Sequence, residues 1–131
     1  MERQLIVLIG PQGSGKTTLC TQFPSFTRIS QDEQGNKKHF HLFCDAIKRG
    51  DDIILDRTNA TRLRRKKYLD IARAASYYTK AILLKTPKET CLERLEKRTG
   101  HKYDFHECKI GMFSWFKIFE EPTKEEFNEI I

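Results

Sequence analysis

Residues Gly10-Pro11-Gln12-Gly13-Ser14-Gly15-Lys16-Thr17 fit G-x-x-x-x-G-K-[ST] in full. Glycines at such positions let consecutive backbone N–H groups turn inward around phosphate oxygens. A helix opening directly behind them adds partial positive charge at its first turn. Lys16 then reaches the outer phosphates of ATP, and the Thr17 hydroxyl ligates Mg²⁺. Gly10, Gly13, Ser14, Gly15, Lys16, Thr17 and Thr18 are therefore the candidate ATP-binding loop.

Three further groups are placed to act on a bound triphosphate. Asp32, in Ile29-Ser-Gln-Asp-Glu, follows a short apolar segment. A carboxylate there faces the γ-phosphate and can accept a hydroxyl proton as the phosphoryl group moves; the other reading is a loop Asp that caps the next helix. Asp56 ends a second apolar run, where an acidic residue beside a phosphate loop is a partner for Mg²⁺. Thr58 and Asn59 follow on the rim and can line an acceptor groove. Arg94 and Arg98 are four apart and share one helix face. Either they fold over ATP and stabilise charge on the transferring group, or they pair with Glu93 and Glu96 on a solvated face.

The elements that must carry these groups alternate. Gln4–Ile9 is a continuous apolar run, expected for a strand buried on both faces. Thr17–Gln22 reads as a short helix, Thr27–Ser30 as a second strand, and residues 37–49 as a helix stopped by Gly50. Asp52–Asp56 is a third strand, Arg62–Ala75 a helix and Thr79–Leu84 a fourth strand. Thr86-Pro87-Lys88-Glu89 predicts a capped helix running to about Arg98. Asp104 to Glu107 offers a similar cap for a helix ending near Phe119. Thr123 to Glu126 can cap one last turn, with Phe127–Ile131 as a short edge strand or tail. Strands alternating with helices imply a parallel sheet covered on both faces, with ligands at the carboxyl ends of its strands.

The chain has 131 residues, 38% apolar and 32% charged, the composition of one ordinary domain spanning 1–131. No stretch approaches a membrane span, and no signal-peptide cleavage site follows the start, so an intracellular protein without a membrane partner is expected. Cys20, Cys44, Cys91 and Cys108 show no metal-ligand spacing and read as reduced thiols. Net charge is +6, and residues 120–131 hold five Glu and one Lys, leaving 23 basic against 13 acidic groups in the rest. Arg57, Arg62, Arg64, Arg65, Lys66 and Lys67 form a tract with no acid among residues 57–67. Cations at a helix start oppose its dipole, and a phosphate backbone explains that placement, as a solvated helix face nearly does. The aromatic cluster from Met112 to Phe119 could stack bases, but its helical spacing is more often that of core packing.

Together, GPQGSGKTT, Ser-Gln-Asp32, Leu-Asp56-Arg-Thr-Asn59 and Arg94-x-x-x-Arg98 resemble the P-loop kinase module of polynucleotide 5′-hydroxyl kinases, a group related to zeta-toxin-like kinases. The resemblance covers most of the chain, and Phe119-Glu-Glu-Pro-Thr-x-x-Glu-x-Phe127 is similar to the tail of that group. It implies an α/β P-loop NTPase three-layer sandwich, with a sheet of order 2-3-1-4 and any fifth strand beside the fourth. It implies catalytic roles for Lys16, Asp32 as general base and Arg98 as a lid arginine, with Arg94, Asp56, Thr58 and Asn59 in or beside the site. Arg57, Arg62 and Arg65 join Asp32, Thr58 and Asn59 as the expected substrate-binding set. The implied cofactors are ATP and Mg²⁺. The implied partner is a nucleic acid with a 5′-OH end, with a ligase or phosphatase as a further one. Two positions depart from the pattern. Gly35 stands where phage-type members carry a phosphate-clamping arginine, and Gln31 replaces the common arginine before the base. A kinase for a small metabolite or nucleotide sugar is the alternative, and an ATP-binding nucleic-acid module without transfer is a third reading. The intact Lys16, Asp32 and Arg98 oppose that third reading.

Overall fold

Gln4–Ile9 forms β1, with Leu5 to Ile9 all buried. A computed structural model describes residues 2–98 and 104–131, apart from the side chains of Asp32, Glu33 and Asn36. Leu5, Val7 and Ile9 point to one face of the sheet, and Ile6 and Leu8 to the other. Period-two alternation in a wholly apolar strand requires cover on both sides.

That cover comes from helices on both faces of the sheet. Among the described residues four further strands, β2 (Thr27–Ser30), β3 (Ile53–Asp56), β4 (Tyr78–Leu83) and β5 (Glu129–Ile130), pair with it in the order β2-β3-β1-β4-β5, all parallel. Helices α3 (Asn36–Arg49) and α4 (Arg62–Ala74) pack on the Leu5 face through Phe43, Ala46, Tyr68, Leu69 and Ala72. Helix α1 (Lys16–Cys20) covers the Ile6 face through Cys20 and Leu19. Helices α5 (Lys88–Lys97) and α6 (Phe105–Ile118) meet through Cys91, Leu95, Cys108 and Met112. Met112 and Trp115 are buried, so the aromatic cluster is anchored in the core. The architecture is the α/β P-loop NTPase sandwich, with the fifth strand beside the fourth.

Local differences from the sequence reading have tertiary causes. Residues 31–34 form a one-turn helix, α2 (Gln31–Gln34), which the sequence pattern does not announce. Thr86 does not cap α5. Pro87 holds the cap position without a side-chain bond, because the Thr86 Oγ1 donates instead to the Ser14 carbonyl at 2.8 Å. Asp104 does cap α6, accepting from the Glu107 N–H at 2.8 Å. Among the described residues no helix is long and apolar enough to cross a membrane.

The tail is fastened by Arg65, which is wholly buried. Its Nε and Nη2 donate to Glu126 at 2.9 and 3.2 Å, and Nη1 donates to the carbonyls of Asn59 and Glu120. Burial works to raise the Glu126 carboxyl, but Arg65 and the Thr123 N–H outweigh it and hold the group below its usual value.

Candidate active site

The loop between β1 and α1 is drawn tight by its own backbone. Gly10 N–H donates to the Thr58 carbonyl at 3.2 Å, joining the loop to the exit of β3. Gly13 and Gly15 sit at φ 80° and 101°, the left-handed region that glycine enters without a Cβ penalty. A Cβ on Gly13 would stand 2.7 Å from the Cys91 carbonyl oxygen, so α5 lies directly against the loop. Lys16 Nζ donates to the carbonyls of Gly10 and Pro11 at 3.0 and 2.8 Å. Its ammonium is thereby folded over the mouth of the loop. Arg94 Nη1 donates to the Gly13 carbonyl at 3.3 Å.

These atoms suit a phosphate group. The Ser14 Oγ is buried with no hydrogen-bond partner, which costs free energy unless something accepts from it. Among the described residues no three His, Cys, Asp or Glu side chains gather to hold a metal. A divalent ion would draw on the Thr17 hydroxyl, on Asp56 at the cleft wall and on the oxygens of the nucleotide itself.

A cleft of about 1080 Å³ opens from this loop along the carboxyl ends of the strands. Gly13, Ser14, Gly15, Lys16, Thr17 and Thr18 form its floor. Arg94 and Arg98 line one wall, so both face the loop rather than lying away from it with Glu93 and Glu96. Gln31, Asp56, Arg57 and Thr58 line the other. Gly10 is buried behind the loop. Asp32 belongs to α2, beside Gln31, and its side chain lies outside the described residues.

Three expected substrate-binding residues are elsewhere. Arg65 is buried beneath α4 and bonded to Glu126 and backbone carbonyls, so it cannot meet a nucleic acid. Asn59 is buried at φ 46°, and its Nδ2 donates to the carbonyls of Leu8 and Arg57 at 2.7 and 3.2 Å. It holds the turn together and lies outside the cleft lining. Arg62 is exposed, outside the cleft lining, with its backbone N–H on Glu120 Oε1.

Two cleft residues have partners the sequence did not suggest. Asp56 Oδ2 accepts from Arg28 Nε at 2.9 Å and also from Nη2. Strand pairing sets Ser30 opposite Asp56, which brings Arg28 within reach of it. Cys20 lies beside this pair, and burial, with the Asp56 charge, pushes its thiol up to about 11. Arg57 Nε donates to Gln31 Oε1 at 3.2 Å and Nη1 to the Tyr68 hydroxyl at 2.6 Å. Thr58 enters through its backbone as well. Its carbonyl accepts from Gly10 and from Trp115 Nε1 at 2.9 Å.

A parallel 2-3-1-4-5 sheet with this loop between its central strand and first helix defines a P-loop kinase fold. A family model described as AAA domain matches residues 36–117, and the chain belongs to that family. The match begins beyond the phosphate loop and spans Arg57, Thr58, Arg94 and Arg98. The chain is 30% identical over 109 residues to a transcription factor, bHLH140, of Arabidopsis thaliana, covering 75% of this chain and 12% of that protein. It is 28% identical over 128 residues to the bifunctional polynucleotide phosphatase/kinase of Schizosaccharomyces pombe, covering 95% of this chain and 31% of that one. The chain thus spans about a third or less of the curated relatives it matches. Among solved structures, Kti12 of Chaetomium thermophilum, in complex with ADP-AlF3, superposes with a TM-score of 0.66 at 21% identity. That superposition covers 92% of this chain and 82% of Kti12.

Proposed function

We propose that this chain transfers the γ-phosphoryl group of ATP to the 5′-hydroxyl end of a polynucleotide. The observation that carries the acceptor is the alignment, over 95% of this chain, with a protein named polynucleotide phosphatase/kinase. Support for transfer comes from the cleft, which places the phosphate loop opposite Gln31, Asp56, Arg57 and Thr58.

In this reading the loop N–H groups and Lys16 bind the phosphates, and Arg94 and Arg98 neutralise charge that grows on the moving group. Thr17 and Asp56 are the residues that would hold Mg²⁺, which would supply neutralisation of phosphate charge. Asp32 accepts the proton of the attacking hydroxyl. Arg57 and Thr58 border the acceptor, and the exposed Arg62 offers a contact for the strand beyond the cleft.

The burial of Arg65 takes one cation from the basic tract, and the bonds of Arg57 engage another. That favours, as a second reading, transfer to a small metabolite or nucleotide sugar. Transfer of labelled γ-phosphate decides between them, with a 5′-OH oligonucleotide, a nucleoside and a sugar as competing acceptors. Label on the oligonucleotide, lost in Lys16→Ala, supports the first reading. Label on the nucleoside or sugar alone replaces it with the second.

A further inference from the structure

We propose that His39, Tyr68 and Arg57 are positioning residues that fix α2, the helix carrying Asp32, at both of its ends. The inference rests on the reading of Asp32 as the base. A single helical turn has almost no stability of its own, and no side chain caps the start of α2. Its placement therefore comes from tertiary bonds. Gln34 supplies one set on the strand side, with Oε1 accepting from Ser30 N–H at 3.0 Å and Nε2 donating to the Arg28 carbonyl at 3.3 Å.

The other set is one continuous chain. Arg57 holds the Oε1 of Gln31, the first residue of α2. Arg57 Nη1 also donates to the Tyr68 hydroxyl at 2.6 Å, and that hydroxyl lies 2.8 Å from His39 Nε2. His39 Nδ1 is 3.1 Å from the carbonyl of Gly35, the residue closing α2. The direction of the bonds at either end follows from their partners. A carbonyl only accepts, so His39 Nδ1 carries a proton and donates it to Gly35. Guanidinium only donates, so the Tyr68 oxygen accepts from Arg57 and bridges it to Nε2.

Burial makes the chain stiff. Tyr68 and His39 are 0% and 1% exposed, while Gln31 and Arg57 line the cleft. The Tyr68 ring is locked edge-on against Phe43 at 5.1 Å, with Lys67 Nζ 5.2 Å from its centre. Burial raises the Tyr68 phenol, which keeps it protonated. The core under α4 thus reaches through four side chains to the wall where the acceptor hydroxyl must be met. A base displaced by about an ångström loses on the order of 10²-fold in rate, so this hold bears on transfer itself.

Tyr68→Phe deletes one hydroxyl and keeps the ring, and Gln31→Leu cuts the chain at its other end. Three measurements are made on each: hydrogen exchange of the Gly35 and His39 amides, equilibrium binding of a non-hydrolysable ATP analogue, and transfer against acceptor concentration. Both variants should exchange those amides at least about tenfold faster, with β1 unchanged. Both should lose about 10- to 100-fold in kcat while analogue affinity stays within about twofold. Wild-type exchange and kcat in both, or equal loss of kcat and analogue affinity, overturns the proposal. If Tyr68→Phe does not fold, Gln31→Leu decides alone. Asp32→Asn is run beside them. Full transfer in Asp32→Asn refutes the base, whereas its inactivity beside fully active Tyr68→Phe and Gln31→Leu refutes only the positioning role.

Discussion

Replacing Arg65 by Gln should unfold this protein at temperatures where loss of its neighbours Arg62 or Arg64 goes unnoticed. The Arg65 guanidinium is fully buried and donates to both Glu126 oxygens and to the carbonyls of Asn59, Glu120 and Glu121. Glutamine reaches at most two of those acceptors, and Glu126 is left partly buried without its cation. Breaking a buried ion pair from one side costs about 3–5 kcal/mol. Against a total stability of about 5–15 kcal/mol that is a large share. At this chain length it corresponds to a fall of about 10–20 °C in Tm. Arg62 and Arg64 are exposed, and their Gln variants should stay within about 0.5 kcal/mol of wild type. Adding Glu126→Gln to Arg65→Gln removes the stranded charge and should recover about 1–2 kcal/mol, with at least one of the three carbonyls still unpaired. Thermal and urea unfolding followed by circular dichroism at neutral pH measures all four variants. A Tm within about 2 °C of wild type for Arg65→Gln would refute the argument that this guanidinium clamps the tail.

The same pair sets an acid limit. Glu126 titrates below its usual 4.5 in the folded chain, so its contribution is complete above that pH and is lost as pH falls through the folded value. Urea midpoints below pH 4.5 should fall less steeply in Glu126→Gln than in wild type. Cys20, pushed up to about 11, should resist iodoacetamide at pH 8 while the half-buried Cys44 is modified, as peptide mapping will report. Gly13→Ala meets the Cys91 carbonyl at 2.7 Å in a left-handed conformation and should cost about 1–3 kcal/mol in urea unfolding. Gly111→Ala meets only the end of Gln12, at 2.5 Å from Nε2. It should move that side chain and weaken ATP-analogue binding several-fold, with Tm changed by no more than about 3 °C.

The sheet could be read from the sequence because its signals are local. Apolar runs fix the strands, and the spacing of Gly10, Gly13, Gly15, Lys16 and Thr17 fixes which strand is central. Arg65 was misjudged because a run of like charges says nothing about direction. The helical period held the answer, since Arg65 shares its face with Tyr68, Leu69 and Ala72 at steps of three, four and seven. His39 has the same relation to Phe43 and Ala46. Thr86 misled for the opposite reason. Its local capping pattern was sound, but a loop carbonyl 72 residues earlier competed for the hydroxyl and won. The Arg28 bond to Asp56 depends on strand register, which no local pattern encodes.

Trp115 is the only tryptophan in the chain, and its indole N–H shares the Thr58 carbonyl with Gly10. The molecule therefore carries an intrinsic fluorophore two hydrogen bonds away from the start of its phosphate loop, through one shared carbonyl. The indole is stacked on Phe119, 4.4 Å between ring centres, and is shielded from solvent quenching. Any rearrangement that draws the Gly10 amide off Thr58 alters the polarity felt by that one ring. Emission wavelength and anisotropy can then follow loading of the loop in real time, with no label attached.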